Sequence, residues 1–376
     1  MIIEFPRTTL LQTLKLMHSI LDRKNASAPL TMIHVTTSHT GVRLAATDLE
    51  LGLQRTLPIP LMEERAFLIP DAPIYDFIKE LTSDTIRWSI DDDHHITITS
   101  GKAKAKFNGM KAEDYPALPP LPDPFIFSLP AKDLSQLLTE TLPAVGEADG
   151  RYILNAIKLT ISNAPSPTLQ IVGTDGHRLV ITQQNTGTWL TRHHDTRHLL
   201  IPKKAGKVLQ TLIPDKEPPL IAIGANQSLA GFQIGDYLLT SRLLDGSYPA
   251  YDRIIPTLTT ARLTVSKTVL EDSIRRVSVI GGKDTKPMEL SIADNHLTLH
   301  AHNVDVGEAT ETLETPTSTQ PFKAGFNAQY LLDALETMPG EHCQLYMESP
   351  QTPCVLTTPD RTTQFKHIIM PLTLTS

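Results

Sequence analysis

Short alternations of apolar and polar residues, each followed by a stretch of helical period, occur three times along the chain. IEFPRTTLLQTL begins at Ile3, FSLPAKDLSQLL at Phe127 and LTVSKTVLEDSI at Leu263. Strict alternation is typical of a half-buried strand, and apolar residues three and four positions apart indicate an amphipathic helix. Each segment therefore predicts a strand that leads into a helix.

The match between the three segments continues in the same order. Two alternating runs around a turn come next and predict a hairpin in each copy. These runs lie at 32–51, 156–179 and 288–306. A strand end and a short amphipathic helix follow at 67–81, 199–212 and 324–335. Because a further hairpin closes each copy, the chain is predicted to be an α+β protein of three tandem repeats, each with an approximate internal duplication.

Proline-rich or threonine-rich stretches separate the repeats. PALPPLPDP at 116–124 and IIPTLTTA at 254–261 are typical of linkers. They predict three domains, at 1–124, 125–257 and 258–376, and each is long enough to bury a core of its own.

Composition narrows the class of protein. The hydrophobic share is 40%, the charged share is 20% and the net charge is −7, which argues against binding nucleic acid by overall positive charge but allows a local basic surface. No run of ~18 apolar residues occurs, and MIIEFPRTTL lacks the features of a signal peptide, so we expect a cytoplasmic protein. Cys343 and Cys354 lie in strand-like runs and are expected to be reduced and part-buried.

The stretch GTDGHRLV at 173–180 places Asp175, His177 and Arg178 together, as in an acid–base site. A catalytic site needs converging partners, and the sequence offers no nucleophile motif, glycine-rich phosphate loop or paired metal spacing. The equivalent ATDLE of the first repeat keeps the threonine and aspartate without a histidine. Thr174 and Asp175 are therefore predicted to serve the fold, and no enzymatic activity is expected.

Two histidine-rich stretches raise the alternative of a metal site. DDDHH at 91–95 and RHHDTRH at 192–198 fall between apparent strands, where exposed turns are expected. Neither has cysteine ligands or an ordered ligand spacing. We predict that the protein binds no metal and no other cofactor.

Several motifs occur in an order that resembles the bacterial DNA polymerase sliding clamps, the β subunit of the replicative DNA polymerase III. They are ATDLEL in the first repeat, RYILNA, TDGHRL and DGSYPAYDRIIP in the second, and IIMPL near the end. The resemblance covers the whole chain. It implies a head-to-tail homodimer that closes into a ring, with helices lining a central hole and antiparallel sheets outside. Such a ring encircles duplex DNA irrespective of sequence, is opened by a clamp loader, and tethers DNA polymerase subunits and repair proteins without being an enzyme.

The resemblance also implies a cleft between the second and third repeats that binds short linear peptides with apolar anchors. Carried over residue by residue, its members are Leu154, Thr174, Gly176, His177, Arg178, Leu179, Pro249, Arg253, Ile254, Ile368, Ile369, Met370, Pro371 and Leu372. Gly176 would allow a close backbone approach, and Arg178 and Arg253 would bond peptide carbonyls or an acidic group. Without the resemblance, the same residues are typical of a seam between domains.

Basic residues on the helical segments would face the DNA. They are Arg23, Lys24, Lys79, Lys132, Lys203, Lys204, Lys207, Arg275 and Arg276. Arg23 and Lys24 are the best individual candidates, because in the family the loop after the first helix contributes a DNA contact. The alternative interpretation is that these charges form solvated helix faces.

The chain departs from the family pattern at two places. Thr373 stands where a basic residue is usual and Thr375 and Ser376 extend the tail, whereas Ile153 stands where many clamps have an aromatic residue. These departures leave open a divergent or secondary clamp with an altered partner preference. A three-domain binding protein that never closes a ring is a further alternative.

Overall fold

Helices and antiparallel strands alternate in the computed structural model. It describes residues 1–22, 25–118, 125–147, 150–163, 166–185, 187–191, 195–214, 219–257, 262–282, 286–316 and 321–373. The α-helices of these residues are α1 (Arg7–Ile20), α2 (Asp71–Glu80), α3 (Ala131–Thr141), α4 (Lys203–Leu212), α5 (Lys267–Val277) and α6 (Ala328–Thr337). The predicted order of strand, helix and hairpin therefore recurs three times.

The strands lie on the predicted runs, but several strands of the larger sheets are buried at nearly every position and do not alternate. They are β1 (Ile2–Pro6), β2 (Met32–Ser38), β3 (Gly41–Thr47), β4 (Leu51–Leu57), β5 (Arg65–Pro70), β6 (Thr85–Ile90), β7 (His95–Ser100), β8 (Ala103–Asn108), β9 (Met110–Lys111), β10 (Phe125–Pro130), β11 (Ala156–Ser162), β12 (Thr168–Thr174), β13 (Arg178–Gln184), β14 (Thr188–Trp189), β15 (Arg197–Pro202), β16 (Leu220–Ala225), β17 (Leu229–Ile234), β18 (Tyr237–Arg242), β19 (Leu263–Ser266), β20 (Pro287–Ala293), β21 (His296–Asn303), β22 (Gly307–Glu314), β23 (Phe322–Asn327), β24 (His342–Tyr346), β25 (Cys354–Thr357) and β26 (Phe365–Ile369).

The first of two compact units contains Met1–Ser135, Gly187–His194 and Lys204–Leu244. Its larger sheet has the strand order β14-β10-β16-β17-β18-β4-β3-β2-β5-β9, and its smaller sheet has the order β1-β6-β7-β8. Helix α1 packs against α2 and covers β3 and β4. The antiparallel pair of β4 and β18 joins the first repeat to the second within one sheet.

The second unit contains Gln136–Thr186, Asp195–Lys203 and Asp245–Ser376. Its larger sheet has the order β15-β11-β12-β13-β26-β25-β24-β19, and its smaller sheet has the order β22-β21-β20-β23. The pair of β13 and β26 joins the second repeat to the third in the same way. Because neighbouring repeats share sheets, contacts divide the chain differently from the predicted domain boundaries, which stay a prediction.

In the first and third repeats, a cation at the first residue of one helix contacts the C-terminal end of the other helix. Arg7 Nη2 donates to the Lys79 carbonyl at 2.9 Å, and Lys267 Nζ donates to the Met338 carbonyl at 2.9 Å. In the second repeat Lys203 Nζ donates to the carbonyl of Val145, beyond the end of α3, at 2.7 Å. Carbonyls at a helix end lack intrahelical partners and carry partial negative charge, so these contacts stabilise the paired helices.

Cys343 and Cys354 are free and fully buried, so the expected partial burial was wrong. Burial raises the pKa of the Cys343 thiol to about 12, which leaves it protonated and unreactive. In the part of the chain that the structure describes, no helix is both long and apolar enough to span a membrane.

Candidate partner-peptide pocket

A tight turn between β12 and β13 forms one wall of a cavity in the second unit. The Thr174 hydroxyl donates to the Arg178 carbonyl at 2.6 Å and accepts the Gly176 N–H at 3.0 Å. Asp175 Oδ1 accepts the N–H groups of His177 and Arg178 at 2.9 and 3.0 Å. Short polar side chains that bond nearby backbone in this way fix a turn. The prediction that Thr174 and Asp175 serve the fold is confirmed.

Two features of this turn favour glycine at position 176. Its φ is +90°, in the left-handed region that disfavours other residues. An added Cβ would also lie 2.7 Å from the Arg151 guanidinium, which donates to the Asp175 carbonyl at 3.2 Å. The close approach that Gly176 allows is therefore that of Arg151.

Arg178 connects the turn at the cavity to two other parts of the second unit. Its Nε donates to Asp175 Oδ2 at 2.9 Å, its Nη1 to Asp333 Oδ2 at 2.5 Å, and its Nη2 to the Pro143 carbonyl at 2.6 Å. The side chain is only 9% exposed. Three of the five guanidinium N–H groups thus donate within the protein, while Arg178 also lines the cavity. Its bonding to a peptide stays a prediction.

The cavity has a volume of about 270 Å³. Its lining residues are Arg151, Leu154, Thr174, Gly176, His177, Arg178, Leu179, Pro249, Ala250, Tyr251, Ile254, Ile368 and Met370. Leu179, Tyr251 and Ile368 belong to a buried apolar cluster with Val172 and Val355. The cavity thus has an apolar floor and a rim that carries polar groups, as small-ligand sites commonly do.

Two tyrosines of the segment after Gly246 pack at the cavity: Tyr251 lines it, and Tyr248 packs against the apolar cluster beneath it. The Tyr248 hydroxyl donates to the Val172 carbonyl at 3.4 Å, and the Tyr251 hydroxyl donates to Gln170 Oε1 at 3.4 Å. Burial raises the pKa of both hydroxyls above the ordinary value. They therefore stay protonated and hold the segment against the sheet.

Most of the residues inferred from the resemblance come together at this cavity. Those that line it are Leu154, Thr174, Gly176, His177, Arg178, Leu179, Pro249, Ile254, Ile368 and Met370. Sequence reasoning missed Arg151, Ala250 and Tyr251. The signal was present, since Arg151 begins the quoted RYILNA motif and Ala250 and Tyr251 lie in DGSYPAYDR.

Four predicted residues do not line the cavity. Ile369 is fully buried in the apolar core of the third repeat, because neighbouring residues of β26 point to opposite faces of the sheet. The Leu372 N–H donates to the Gly325 carbonyl at 2.8 Å, away from the lining. Arg253 is exposed and Pro371 is half-buried, and neither reaches the cavity wall.

The departures from the family pattern lie beside the cavity or outside the described residues. Ile153 is half-buried and does not line the cavity. Its Cδ1 lies 3.4 Å from the position that a Cβ on Gly246 would take. Thr373 is exposed, whereas residues 374–376 lie outside the described residues.

The basic residues predicted to face DNA are in part committed to the fold. Arg23 and Lys24 lie outside the described residues. Lys203 Nζ lies 2.9 Å from Glu147 Oε1 in addition to its carbonyl contact, and Lys204 Nζ lies 2.5 Å from Asp48 Oδ2 and 3.0 Å from the Ile20 carbonyl. These two lysines act on helix ends and nearby carboxylates.

The two predicted DNA-facing arginines of the third repeat form ion pairs with nearby glutamates. Arg275 lies 2.7 Å from Glu271, one turn earlier on α5, and Arg276 lies 2.6 Å from Glu311 on β22. Lys79, Lys132 and Lys207 are exposed on α2, α3 and α4. The predicted set thus includes Lys203, Lys204, Arg275 and Arg276, which lie close to carboxylates, and exposed residues on three helices.

The histidine-rich stretches form no cation site among the residues that can be described. There, no group of three or more His, Cys, Asp or Glu side chains could hold a metal ion. Asp91 instead accepts the His95 N–H at 2.8 Å and closes a turn. Residues 192–194 of the second stretch lie outside the described residues.

Three family models match the chain in order. They describe the N-terminal, central and C-terminal domains of the DNA polymerase III beta subunit and match residues 1–119, 128–250 and 252–373. The chain belongs to the DNA polymerase III beta subunit family. Members of this family are sliding clamps, which are accessory processivity factors without a catalytic site of their own. The expectations of a three-domain clamp and of no enzymatic activity are therefore confirmed.

Clamp relatives match along nearly the whole chain. The beta sliding clamp of Synechocystis sp. is 27% identical over 89% of this chain and 88% of its own length. That of Pseudomonas putida is 24% identical over 98% of both chains. These matches do not favour the alternatives of a divergent copy or of a binding protein that never closes a ring.

Solved clamp structures share the fold. A sliding clamp of Bartonella birtlesii bound to griselimycin has a TM-score of 0.91 at 26% identity, with both chains fully covered. The clamp of Bacillus subtilis also has a TM-score of 0.91, at 21% identity and full coverage of both chains.

Proposed function

We propose that this sliding clamp encircles duplex DNA as a homodimer and tethers DNA polymerase subunits, a clamp loader and repair proteins through short peptides that enter the cavity of the second unit. The observation that carries the peptide site is the apolar floor of Leu179, Tyr251 and Ile368 beneath a rim of turn residues. A cytoplasmic location goes with this function, because the chromosome that such clamps serve lies there.

The size of the cavity favours a short peptide as its ligand over the broad surface of a folded partner protein. Its volume accommodates a few apolar side chains, and the rim offers polar groups that would fix the direction of a chain. Exposed Met370 and Ile254 flank the opening and would adapt to different anchors. Clamps of Bartonella birtlesii and Pseudomonas aeruginosa bind griselimycin, and we propose that this compound competes for the same cavity here.

A binding experiment with two matched variants tests the peptide site. The probe is a fluorescein-labelled decapeptide with leucine and phenylalanine anchors, displaced by griselimycin and followed by anisotropy. Ile254→Asp places a charge at the apolar opening and should weaken binding at least roughly tenfold, since burying an unpaired charge is costly. Val269→Asp on α5, where the native residue is similarly exposed at 46% against 40%, should bind normally. Equal binding by both variants would reject this site.

The pattern of shared sheets supports the homodimer. β4 of the first repeat pairs with β18 at the end of the second, and β13 of the second pairs with β26 at the end of the third. In the third repeat, β22 is equivalent to β4 of the first repeat and β13 of the second. In the first repeat, β8 is equivalent to β18 of the second repeat and β26 of the third. Both β22 and β8 end their sheets in the described structure. We propose that β22 of one chain pairs with β8 of a second chain, head to tail.

Equivalent contacts in the existing seams give the register of this pairing. Arg55 on β4 bonds Thr13 of α1 at 2.7 Å, and Glu311 on β22 accepts from Ser273, the equivalent residue of α5, at 2.8 Å. Since Arg55 pairs with Tyr237, the first residue of β18 after a two-residue turn, Glu311 should lie opposite Ala103, the first residue of β8 after a similar turn. Antiparallel pairing then places Lys106 opposite Glu308.

The exposed faces of the two edge strands carry opposite charge. Lys104 and Lys106 are exposed on β8, whereas Glu308 and Glu314 are exposed on β22. Val279, 77% exposed after α5, adds an apolar residue next to Ile280, which packs against the core. Cross-strand pairs of opposite charge stabilise a sheet, and like charges oppose it.

Charge reversal tests the dimer. Lys106→Glu and Glu308→Lys should each weaken self-association, and the double variant should recover it, because the two side chains face each other only across the proposed seam. Sedimentation at micromolar concentration measures the effect, and Lys132→Glu on α3 is the control. A double variant as monomeric as the single ones would contradict the register.

Loading onto nicked circular DNA tests encirclement. A ring held by topology should slide off the ends after the circle is linearised, whereas a protein bound to a particular site should stay. Lys79, Lys132 and Lys207 are the described cations proposed to make weak phosphate contacts, since tight counterion-releasing contacts would impede sliding. The contacts of Arg23 and Lys24 remain predictions.

A further inference from the structure

Arg178 joins three elements behind the peptide pocket. It reaches Asp175 in its own turn, the Pro143 carbonyl after α3, and Asp333 on α6. Its guanidinium also lies over the Tyr330 ring, 4.4 Å from the centroid. The wall is therefore held from α6, an element of the third repeat that contributes no lining residue.

Helix α6 holds two successive wall residues at once. Asp333 bonds Arg178, while Tyr330, nearly one turn earlier, stacks on His177 with ring centroids 6.5 Å apart. Asp333 is itself oriented by Gln329, whose Nε2 donates to Asp333 Oδ1 at 2.8 Å. This arrangement fixes the carboxylate oxygen that faces Arg178.

The loss of Asp333 would reach the pocket through Arg178. A cation that is 9% exposed needs its charge partners, and removing one leaves a costly unpaired group. Asp175 would then be the remaining carboxylate on the guanidinium, yet its other oxygen already holds the N–H groups of the turn. A shift of Arg178 would thus strain the turn that positions His177.

We infer that Asp333 is a positioning residue of the peptide pocket, which sets the wall through Arg178 without touching the peptide. This inference rests on the proposed peptide-binding function. It assigns part of the affinity for partners to α6, outside the cavity.

The test combines single and double variants of the full-length dimer. The labelled decapeptide with leucine and phenylalanine anchors is titrated by anisotropy into the wild type, Asp333→Ala, Asp333→Asn, Arg178→Ala and the double alanine variant. Asp333→Ala should bind about three- to tenfold more weakly, which is less than the loss of a direct charged hydrogen bond to the peptide would cost, because Asp333 acts through Arg178. Asp333→Asn should lose less, because its amide oxygen still accepts from Arg178. In the Arg178→Ala background, Asp333→Ala should change nothing further.

Control measurements separate this inference from the proposed function. Glu336→Ala, an exposed acidic residue of the same helix, should bind as the wild type does. If the wild type binds and Asp333→Ala binds equally well, or if the two alanine effects add, Asp333 has no positioning role and the peptide site stands. If the folded wild type binds neither the peptide nor griselimycin, both proposals fail. If Asp333→Ala does not fold, Asp333→Asn with and without Arg178→Ala decides the same question.

Discussion

Two turns of this clamp share one backbone design and differ in what they enclose. In the first unit, Thr47 donates to the Leu51 carbonyl at 2.6 Å and Asp48 accepts two backbone N–H groups, as Thr174 and Asp175 do in the second unit. The Arg242 N–H meets the Glu50 carbonyl at 2.8 Å, and the Met370 N–H meets the His177 carbonyl at 3.0 Å. The turn and the strand that joins it were thus kept in both repeats.

The side chains on this shared backbone differ. Leu49, at φ +78°, takes the place of Gly176. Where Leu179 pairs with Ile368 on the pocket floor, the first unit pairs Gly52 with Thr240, whose hydroxyl bonds the Gly52 carbonyl at 3.3 Å. An apolar floor and a small turn residue therefore distinguish the proposed peptide pocket from the equivalent position in the first unit.

Replacing Gly176 by leucine, the residue at the equivalent position 49 of the first turn, should give the largest loss of peptide affinity. Gly176→Leu puts a side chain where the Arg151 guanidinium now lies, 2.7 Å from the new Cβ. Peptide affinity should fall by roughly a hundredfold, because the leucine side chain and the displaced Arg151 guanidinium would take the space of one apolar anchor of the peptide. Burial of such an anchor is worth about 3 kcal/mol, and 1.4 kcal/mol is tenfold. The stability loss should stay near 1 kcal/mol, since Leu49 occupies the same backbone conformation in the native protein.

The reciprocal change is the control. Leu49→Gly should leave peptide binding unchanged and alter the free energy of unfolding only slightly. Normal binding by Gly176→Leu, measured by the same anisotropy titration, would show that the difference between the turns does not create the pocket.

Part of this comparison could be predicted from the sequence. Repetition of Thr-Asp at the same place in two repeats indicated a turn that serves the fold, and the resemblance supplied most of the pocket lining. Ile369 was wrongly included, although neighbouring residues of a strand face opposite sides, so Ile368 and Ile369 could not both line one cavity.

The sequence did not reveal which groups in the folded protein the charged side chains contact. Arg178 was expected to meet a peptide, and Lys203 and Lys204 were expected to meet DNA. Each also bonds a carbonyl and a carboxylate that are distant in the chain, and their roles toward a peptide or DNA stay predictions. A charge in the sequence does not reveal which buried acceptor the fold brings to it, and the family motif marks positions rather than hydrogen bonds.

His367 lies on β26, where this strand pairs with β13, and makes the stability of the second unit depend on pH. The equivalent pair of β4 and β18 in the first unit has no histidine at this position. His367 takes the place of Leu239, and neither of its ring nitrogens has a hydrogen-bond partner among the described residues. Burial, assisted by the charge of Arg178, lowers the pKa of His367 from 6.5 to about 3. Above pH 6.5 the imidazole is neutral in both the folded and the unfolded chain, so it adds no pH dependence there.

Below pH 6.5 the unfolded chain binds a proton that the folded chain cannot. Stability should therefore fall with decreasing pH down to about pH 3, by about 2 kcal/mol at pH 5, because each pH unit is worth about 1.4 kcal/mol. His367→Leu, which copies the first unit, should remove this contribution. Urea unfolding of both proteins at pH 7.5 and pH 5 measures it, and parallel losses in the two proteins would contradict the assignment.

Removing the turn aspartates should give the smallest effect and separate folding from binding. Asp48→Ala and Asp175→Ala each leave two backbone N–H groups without their acceptor, which should cost about 1 kcal/mol, similar to the loss of a helix cap. Asp175→Ala should cost more than Asp48→Ala, because it also removes a carboxylate partner of the buried Arg178. Because only the second turn borders the cavity, Asp175→Ala should also weaken the labelled peptide, whereas Asp48→Ala should bind it normally. Urea unfolding and anisotropy on the same samples test both halves. Weaker binding by both variants would mean that general destabilisation, rather than the wall of the pocket, controls peptide affinity.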